Sequence, residues 1–156
     1  MWFTESGRAP LPGSRTVAGY CLEWGVPSPV RDGFDECFTP HSVEWPSDLR
    51  LCRNHEKTRP LTRLGHGFRL ASDSRGLWAE ADADAIYDGD GVLHGARFGA
   101  LRGWSVSFVA CRERWDRSGD RPLRIIEGAR LLELSIVDRG AHRTSIGVLS
   151  RMQRAA

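Results

Sequence analysis

The sequence predicts a single-domain, β-rich α+β protein, a β-barrel with short helical insertions. Three observations lead to this fold class. The chain has 156 residues, which is enough to bury one substantial core. Several short runs alternate apolar and polar residues and are bounded by Gly, Pro, Asp or Ser, as is typical of strands. A single longer segment has the spacing of an amphipathic helix, which disfavours a parallel α/β sheet.

The composition is that of an ordinary soluble globular protein, with 40% hydrophobic and 27% charged residues. A net charge of +2 gives no electrostatic reason to expect nucleic acid as a partner. The sequence has neither a run of about 20 apolar residues nor the features of a signal peptide, so we expect neither a membrane partner nor export. The four cysteines are therefore expected to be reduced: Cys21, Cys37, Cys52 and Cys111.

The chain is predicted to divide into an arm, a domain and a tail. Residues 1–15 are rich in Gly, Pro and Ser, which predicts a flexible N-terminal arm. Residues 16–149 carry the strand and helix signals and form the predicted domain, which opens with a strand over 16–24. Residues 150–156 are a short C-terminal tail.

Within the domain, the clearest local signals are a hairpin and a helix. Two β-compatible runs in 67–81 flank the turn signal Asp73-Ser-Arg-Gly76, which predicts a hairpin. Residues 88–102 have apolar residues three and four apart and are predicted to form a helix that Gly103 ends. Later strands are predicted over 104–113, 123–127 and 131–137.

The first candidate functional residue is Ser105, at the start of the strand that follows the predicted helix. Side chains alternate in a strand, so Ser105 and Ser107 share one face and the apolar Trp104, Val106 and Phe108 share the other. Such a strand presents a hydroxyl rigidly, as a serine nucleophile requires. A half-solvated strand that carries serine would look the same, and the sequence has no Gly-x-Ser-x-Gly elbow.

A serine nucleophile needs a base, and His55 is the best placed of the five histidines. It lies at the end of an extended segment, in phase with the apolar Leu49 and Leu51, so packed neighbours would hold its ring. The structural alternative is a surface-loop histidine beside Glu56 and Lys57.

The group that orients such a base is expected to be Glu133. In the last predicted strand, Glu133 lies on the face opposite Leu132, Leu134 and Ile136. A carboxylate in such an apolar strand should be paired or should serve a purpose. An ion pair with one of the many arginines is the structural alternative, and His142 is a second candidate for the third role.

Four short segments occur in an informative order: Arg53-Asn54-His55, Asp73-Ser-Arg-Gly-Leu77, Gly103-Trp-Ser-Val-Ser-Phe108 and Leu131-Leu-Glu-Leu-Ser-Ile-Val137. Together they resemble the motifs of the tailed-bacteriophage prohead (capsid maturation) serine proteases, relatives of the herpesvirus assemblins. The resemblance spans about residues 16–145 and implies an assemblin-like fold.

Carried over position by position, the resemblance implies that Ser105 is the nucleophile, His55 the base and Glu133 the third member of a triad. The assemblins use a histidine in the third role, which keeps His142 as the alternative. The implied activity is that of a serine endopeptidase of capsid maturation. It would cut scaffold protein or the scaffolding segment of the major capsid protein, and also itself. The resemblance implies no metal or organic cofactor.

The resemblance also implies partners and a location. The expected partners are the major capsid protein and the scaffold protein, and a homo-oligomer is compatible with this family. The expected location is the cytoplasm of a bacterial host, inside the immature capsid. Neither nucleic acid nor a membrane is expected as a partner.

Two positions depart from the family's pattern. Ser107 stands where the family usually has glycine, which a strand accommodates. Arg139-Gly-Ala141 replaces the usual proline-containing end of the last strand, where the assemblins place oxyanion-stabilising backbone. By analogy, the backbone N–H groups of Arg139 and Gly140 are the candidate oxyanion donors.

Two other readings of the chain compete with a protease. Cys37, His41, Cys52 and His55 supply two thiols and two imidazoles, a ligand set that tetrahedral zinc accepts, although not at the spacings of a standard finger. This alternative is a small zinc-stabilised structural or binding domain in which His55 is a ligand. The other alternative is an inactive capsid-assembly partner that retains the protease fold.

Overall fold

The structure is a computed structural model that describes residues 15–31, 33–140, 142 and 144–149. The predicted C-terminal tail lies outside the described residues, as does the predicted N-terminal arm except for Arg15.

The described residues form eleven strands and one helix. The elements are β1 (Thr16–Glu23), β2 (Ser28–Arg31), β3 (Phe34–Phe38), β4 (Val43–Glu44), β5 (Arg50–Arg53), β6 (Thr62–Arg63), β7 (Phe68–Ser72), β8 (Gly76–Asp82), α1 (Gly89–Phe98), β9 (Gly103–Asp116), β10 (Leu123–Val137) and β11 (Gly147–Val148). None of the described segments is a helix of the length and apolarity that crossing a membrane requires.

The strands of the described residues form two sheets. The smaller sheet has the order β11-β1-β8-β7. The larger is organised around β10, which pairs antiparallel with β9 along one edge and parallel with β3, β4 and β5 in turn along the other. The predicted β-rich α+β class is therefore confirmed.

The predicted barrel is wrong, because the described strands do not close into one. A barrel closes when the two edges of one sheet pair with each other. Here β10 pairs with other strands along both of its edges, but the outer strands of the larger sheet do not pair with each other. These outer strands are β9, β2 and β6. The strands β7 and β11 are the edges of the smaller sheet.

The long strand β10 differs from the sequence prediction in two ways. The predicted strands 123–127 and 131–137 are one strand, because Gly128 opposes Arg112 at an irregularity in the ladder and does not end it. The predicted face of Leu132 is also wrong, since this side chain is 53% exposed. Leu131 and Glu133 oppose consecutive residues of β9, which leaves Leu132 in a bulge that interrupts the two-residue alternation.

The main core is one cluster of buried side chains from both sheets and from α1. Among its largest fully buried members are Trp104 on β9 and Leu134 on β10. Because side chains alternate along a strand, burying Trp104 and Leu134 in the core turns Ser105, Glu133 and their in-phase neighbours toward the opposite face. This opposite face carries the polar residues singled out in the sequence.

The predicted hairpin and helix are present with small changes. The strands β7 and β8 pair antiparallel, and the Asp73 carboxylate closes the turn by accepting the N–H groups of Arg75 and Gly76, both at 2.9 Å. Helix α1 ends at Phe98, five residues before Gly103. It stops there because Gly99 has a φ of 78°, a left-handed conformation that favours glycine and ends helices.

Candidate active site

The candidate site lies on three neighbouring strands of the larger sheet. Ser135 on β10 opposes Ser105 on β9 and Cys52 on β5, so these residues form one row across the sheet. The adjacent row contains Ser107 and Glu133, two residues along each strand. Residues two apart point to the same side of a strand, so the serines and the glutamate share one face. The shared face of Ser105 and Ser107 agrees with the sequence prediction, and the pairing of β9 with β10 adds Glu133 to that face.

His55 reaches this face from the turn that follows β5. Asn54 and His55 have φ values of 47° and 61°, a left-handed pair that bends the chain at the end of β5. The Nε2 atom of His55 lies 3.0 Å from Oγ of Ser105. Its Nδ1 atom is hydrogen bonded to Oε1 of Glu133. The carboxylate accepts from Nδ1–H, which leaves Nε2 to accept the proton of the Ser105 hydroxyl.

Glu133 is only 2% exposed, and Oε1 is its main acceptor atom. This atom also accepts the hydroxyl of Ser135 at 3.2 Å and that of Ser107 at 3.4 Å. Burial by itself would raise the pKa of Glu133, but the hydrogen bond from His55 and the interaction with the nearby Cys52 thiol outweigh burial and hold the pKa below its ordinary value. The carboxylate is therefore ionised at neutral pH.

The Cys52 thiol packs against the same carboxylate on the β5 side. No hydrogen-bond donor of the described residues reaches Oε2 of Glu133, but the carboxylate and the thiol are close enough to influence each other electrostatically. Burial, followed by the charge of Glu133, raises the pKa of Cys52 to about 11. The sulfur therefore stays protonated and unreactive at neutral pH.

His142, the other candidate for the third role, is engaged elsewhere. Its Nε2 atom lies 2.9 Å from Oε1 of Glu36 on β3, and its ring packs edge-on against Phe38. Both ring nitrogens of His55 are already occupied by Ser105 and Glu133. The structure thus brings Glu133 to His55 and leaves His142 paired with Glu36.

The segment that follows β10 packs against the residue before Ser105. The Thr144 hydroxyl accepts the N–H of Trp104 and donates to its carbonyl, both at 2.9 Å. A Cβ atom at Gly140 would lie 2.5 Å from the Trp104 carbonyl oxygen, so this close approach requires glycine. Gly140 therefore packs against Trp104, the residue immediately before Ser105. The roles of Gly140 and Arg139 as oxyanion donors stay predictions. Ala141 lies outside the described residues.

Sequence reasoning missed two residues of this site, Thr144 and Ser135. Ser135 carries a usable signal, because it follows Glu133 by two positions in a predicted strand and so had to share its face. Thr144 carries no such signal, since its contact with Trp104 joins a loop to a strand 40 residues earlier.

The alternative zinc ligands do not meet. Cys37 on β3 opposes Ile125, and Cys52 on β5 opposes Ser135 on the same strand β10. Ten residues of strand span roughly 30 Å, far beyond the reach of a shared metal ion. In the part of the chain that the structure describes, no three His, Cys, Asp or Glu side chains are grouped so as to hold a metal. The geometry therefore contradicts the zinc site.

The chemistry of the assembled groups is that of acyl transfer. A serine hydroxyl, an imidazole and a buried carboxylate are linked in that order by hydrogen bonds. The imidazole can take the hydroxyl proton, and the carboxylate can stabilise the imidazolium that results. Ser105 is half-buried and His55 is exposed, so an extended polypeptide has access to both.

Comparison with known proteins supplies the family. No curated protein and no solved structure shows significant similarity to the chain. The family model described as Caudovirus prohead serine protease matches residues 8–155, nearly the whole chain. The family inferred from the four sequence motifs is therefore confirmed. The chain belongs to the Caudovirus prohead serine proteases, and is thus a peptidase of phage capsid maturation that acts with capsid and scaffold proteins inside the immature capsid of a bacterial virus.

Proposed function

We propose that the chain is a serine endopeptidase in which Ser105 is the nucleophile, His55 the general base and Glu133 the orienting carboxylate. One observation carries this assignment. A single imidazole bonds to Ser105 through Nε2 and to a buried carboxylate through Nδ1. That is the arrangement by which a neutral hydroxyl becomes a competent nucleophile.

The proposed reaction runs in two stages. Ser105 Oγ attacks the carbonyl carbon of the scissile peptide while Nε2 of His55 takes the hydroxyl proton. His55 then returns the proton to the amine that leaves, which yields an acyl-enzyme. Water, deprotonated by the same nitrogen, releases the second product and restores the serine. Throughout both stages, Glu133 fixes the tautomer of His55 and balances the charge of the imidazolium.

The tetrahedral intermediates need donors for their oxyanion. We assign this role to the backbone N–H groups of Arg139 and Gly140. The support is positional, since Gly140 packs against the carbonyl of Trp104, immediately before the nucleophile. Thr144 holds the same Trp104 peptide unit from its N–H and its carbonyl.

The proposed substrates are the scaffold protein or the scaffolding segment of the major capsid protein, together with the protease itself. Family membership supports this choice, because a prohead is assembled from capsid and scaffold polypeptides. The exposed side of His55 supports it as well, since a folded partner can present an extended segment to an open site.

The test is co-expression of the protease with the major capsid protein and scaffold protein of the same phage. Wild-type protein is expected to give discrete shorter products of a partner and of itself, detected by intact-mass spectrometry. Ser105→Ala should abolish all of them, because no other hydroxyl is bonded to His55 Nε2 in the described residues.

Ser107→Ala is the matched control, since Ser107 shares the strand and the face, but its hydroxyl bonds to Glu133, at 3.4 Å, and not to His55. It should retain cleavage. Cleavage that survives Ser105→Ala and disappears in Ser107→Ala would mean that the wrong serine has been assigned. A wild-type chain without any cleavage would favour the inactive assembly partner.

A further inference from the structure

Ser135 contacts two parts of the proposed triad with one atom. Its side chain is fully buried on β10, in the row between Ser105 and Cys52. Its Oγ atom lies 3.2 Å from Oε1 of Glu133 and 3.1 Å from the backbone nitrogen of His55. No step of the proposed reaction uses this hydroxyl directly.

The backbone at His55 needs such a partner. Two consecutive non-glycine residues with positive φ are uncommon, and conformations of this kind persist only where the surroundings hold them. Here two hydrogen bonds to β10 do so. The N–H of Asn54 donates to the carbonyl of Ile136 at 3.0 Å, and the N–H of His55 donates to Oγ of Ser135.

The directions of these hydrogen bonds are mutually consistent. A hydroxyl has one proton to donate and lone pairs that accept. The ionised Glu133 can only accept, so the Ser135 proton points to Oε1. Its lone pairs then remain for the N–H of His55. One hydroxyl therefore links the main chain of the base to the carboxylate that orients the ring of the base.

We propose that Ser135 is a positioning residue of the triad, which locks the left-handed backbone of His55 to Glu133 and so keeps the imidazole aligned on Ser105. This inference rests on the proposed function. Without the hydroxyl, the N–H of His55 loses its acceptor and Glu133 loses a donor. The ring can then rotate away from Ser105, while the surface that binds substrate is unchanged.

A fluorophosphonate probe tests this without knowledge of the natural substrate. The probe forms a P–O bond to an activated serine and expels fluoride, while the base takes the hydroxyl proton. Its second-order labelling rate on the folded full chain therefore reports how well His55 activates Ser105. Ser135→Ala is expected to lower this rate about tenfold to hundredfold, because the buried Glu133 and the backbone N–H of His55 each lose a hydrogen-bond partner.

Ser42→Ala and Ser135→Thr are the matched variants. The Ser42 hydroxyl is also buried, but it has no hydrogen-bond partner in the described residues, so its removal should leave labelling within about twofold of wild type. Ser135→Thr keeps the hydroxyl and should restore most of the rate. Labelling of Ser135→Ala at the wild-type rate would overturn the proposal. So would equal losses in Ser135→Ala and Ser42→Ala.

Backbone amide exchange gives a second readout, on the wild-type chain. The His55 N–H is expected to be protected despite its place in an exposed turn, because it donates to a buried hydroxyl. Rapid exchange of this amide would refute the contact even if Ser135→Ala fails to fold. Absence of labelling at Ser105 in a folded wild-type chain with a protected His55 amide would instead refute the proposed function.

Discussion

At the scale of single residues, the contacts of Glu133 explain how strand β10 accommodates a buried charge. A carboxylate that is only 2% exposed would be costly without partners. Three groups donate to Oε1, from His55, Ser135 and Ser107. The partner that the sequence offered as an alternative, an arginine, is not among them. The position of Glu133 in an apolar strand indicates an unusual carboxylate, and its hydrogen bonds explain why the charge can be buried there.

This environment predicts how acid affects the fold. The pKa of Glu133 is lowered on folding, so the ionised carboxylate stabilises the native state above its unfolded pKa of about 4.3, and this contribution is lost as the pH falls through the lower folded pKa. The free energy of unfolding of wild type should therefore fall more steeply between pH 5 and 2 than that of Glu133→Gln. Urea unfolding at a series of pH values measures both. Parallel pH profiles would show that Glu133 has no depressed pKa.

At the scale of elements, the beginning of β9, at Trp104, is held from two sides. Along one edge, Trp104 pairs with Ile136 of β10 in the antiparallel ladder. On another side, the Thr144 hydroxyl bonds to both the N–H and the carbonyl of Trp104 and thus takes the place of a neighbouring strand. Ser105, the proposed nucleophile, is the next residue along the chain, so this clamp helps to set the direction in which its side chain points.

The clamp predicts a specific stability loss. Thr144→Val keeps the shape of the side chain but leaves a backbone donor and an acceptor of a fully buried residue without a partner. We expect the free energy of unfolding to drop by about 1–3 kcal/mol. Thr144→Ser retains the hydroxyl and is expected to lose much less. Equal losses in the two variants, measured by urea unfolding, would mean that the methyl group and not the hydroxyl stabilises this loop.

At the scale of the whole molecule, β10 determines which distant residues meet. It pairs with β3 at Ile125 and with β5 at Ser135, so residues close in sequence along 37–52 are spread along one strand. The same pairing brings His55 onto Glu133 and Ser105, which lie 78 and 50 residues away in the chain. One arrangement of strands thus separates the four candidate zinc ligands and brings together the three residues of the proposed triad.

The protein is accordingly expected to contain no stoichiometric zinc. Its fold should survive a chelator, because a zinc ion bound to His55 would occupy a ring nitrogen that Ser105 or Glu133 needs. Elemental analysis of purified protein and thermal unfolding with and without EDTA measure this. About one zinc per chain, with unfolding on chelation, would contradict both the strand pairing and the triad.

The sequence by itself determined the local features of this protein. The alternation of side chains put Ser105 and Ser107 on one strand face, the turn residues from Asp73 to Gly76 placed a hairpin, and four ordered motifs indicated the family. These follow from nearest neighbours along the chain, because the two-residue period of a strand and the turn preferences of Gly and Asp are local properties.

Only the tertiary structure decided how those features combine. It showed two sheets in place of a barrel, a bulge that exposes Leu132, and Glu133 rather than His142 at the ring of His55. The physical reason is that strand partners and register are set by the packing of the whole core between distant segments. A single inserted residue in one ladder changes the face of a side chain without any local mark in the sequence.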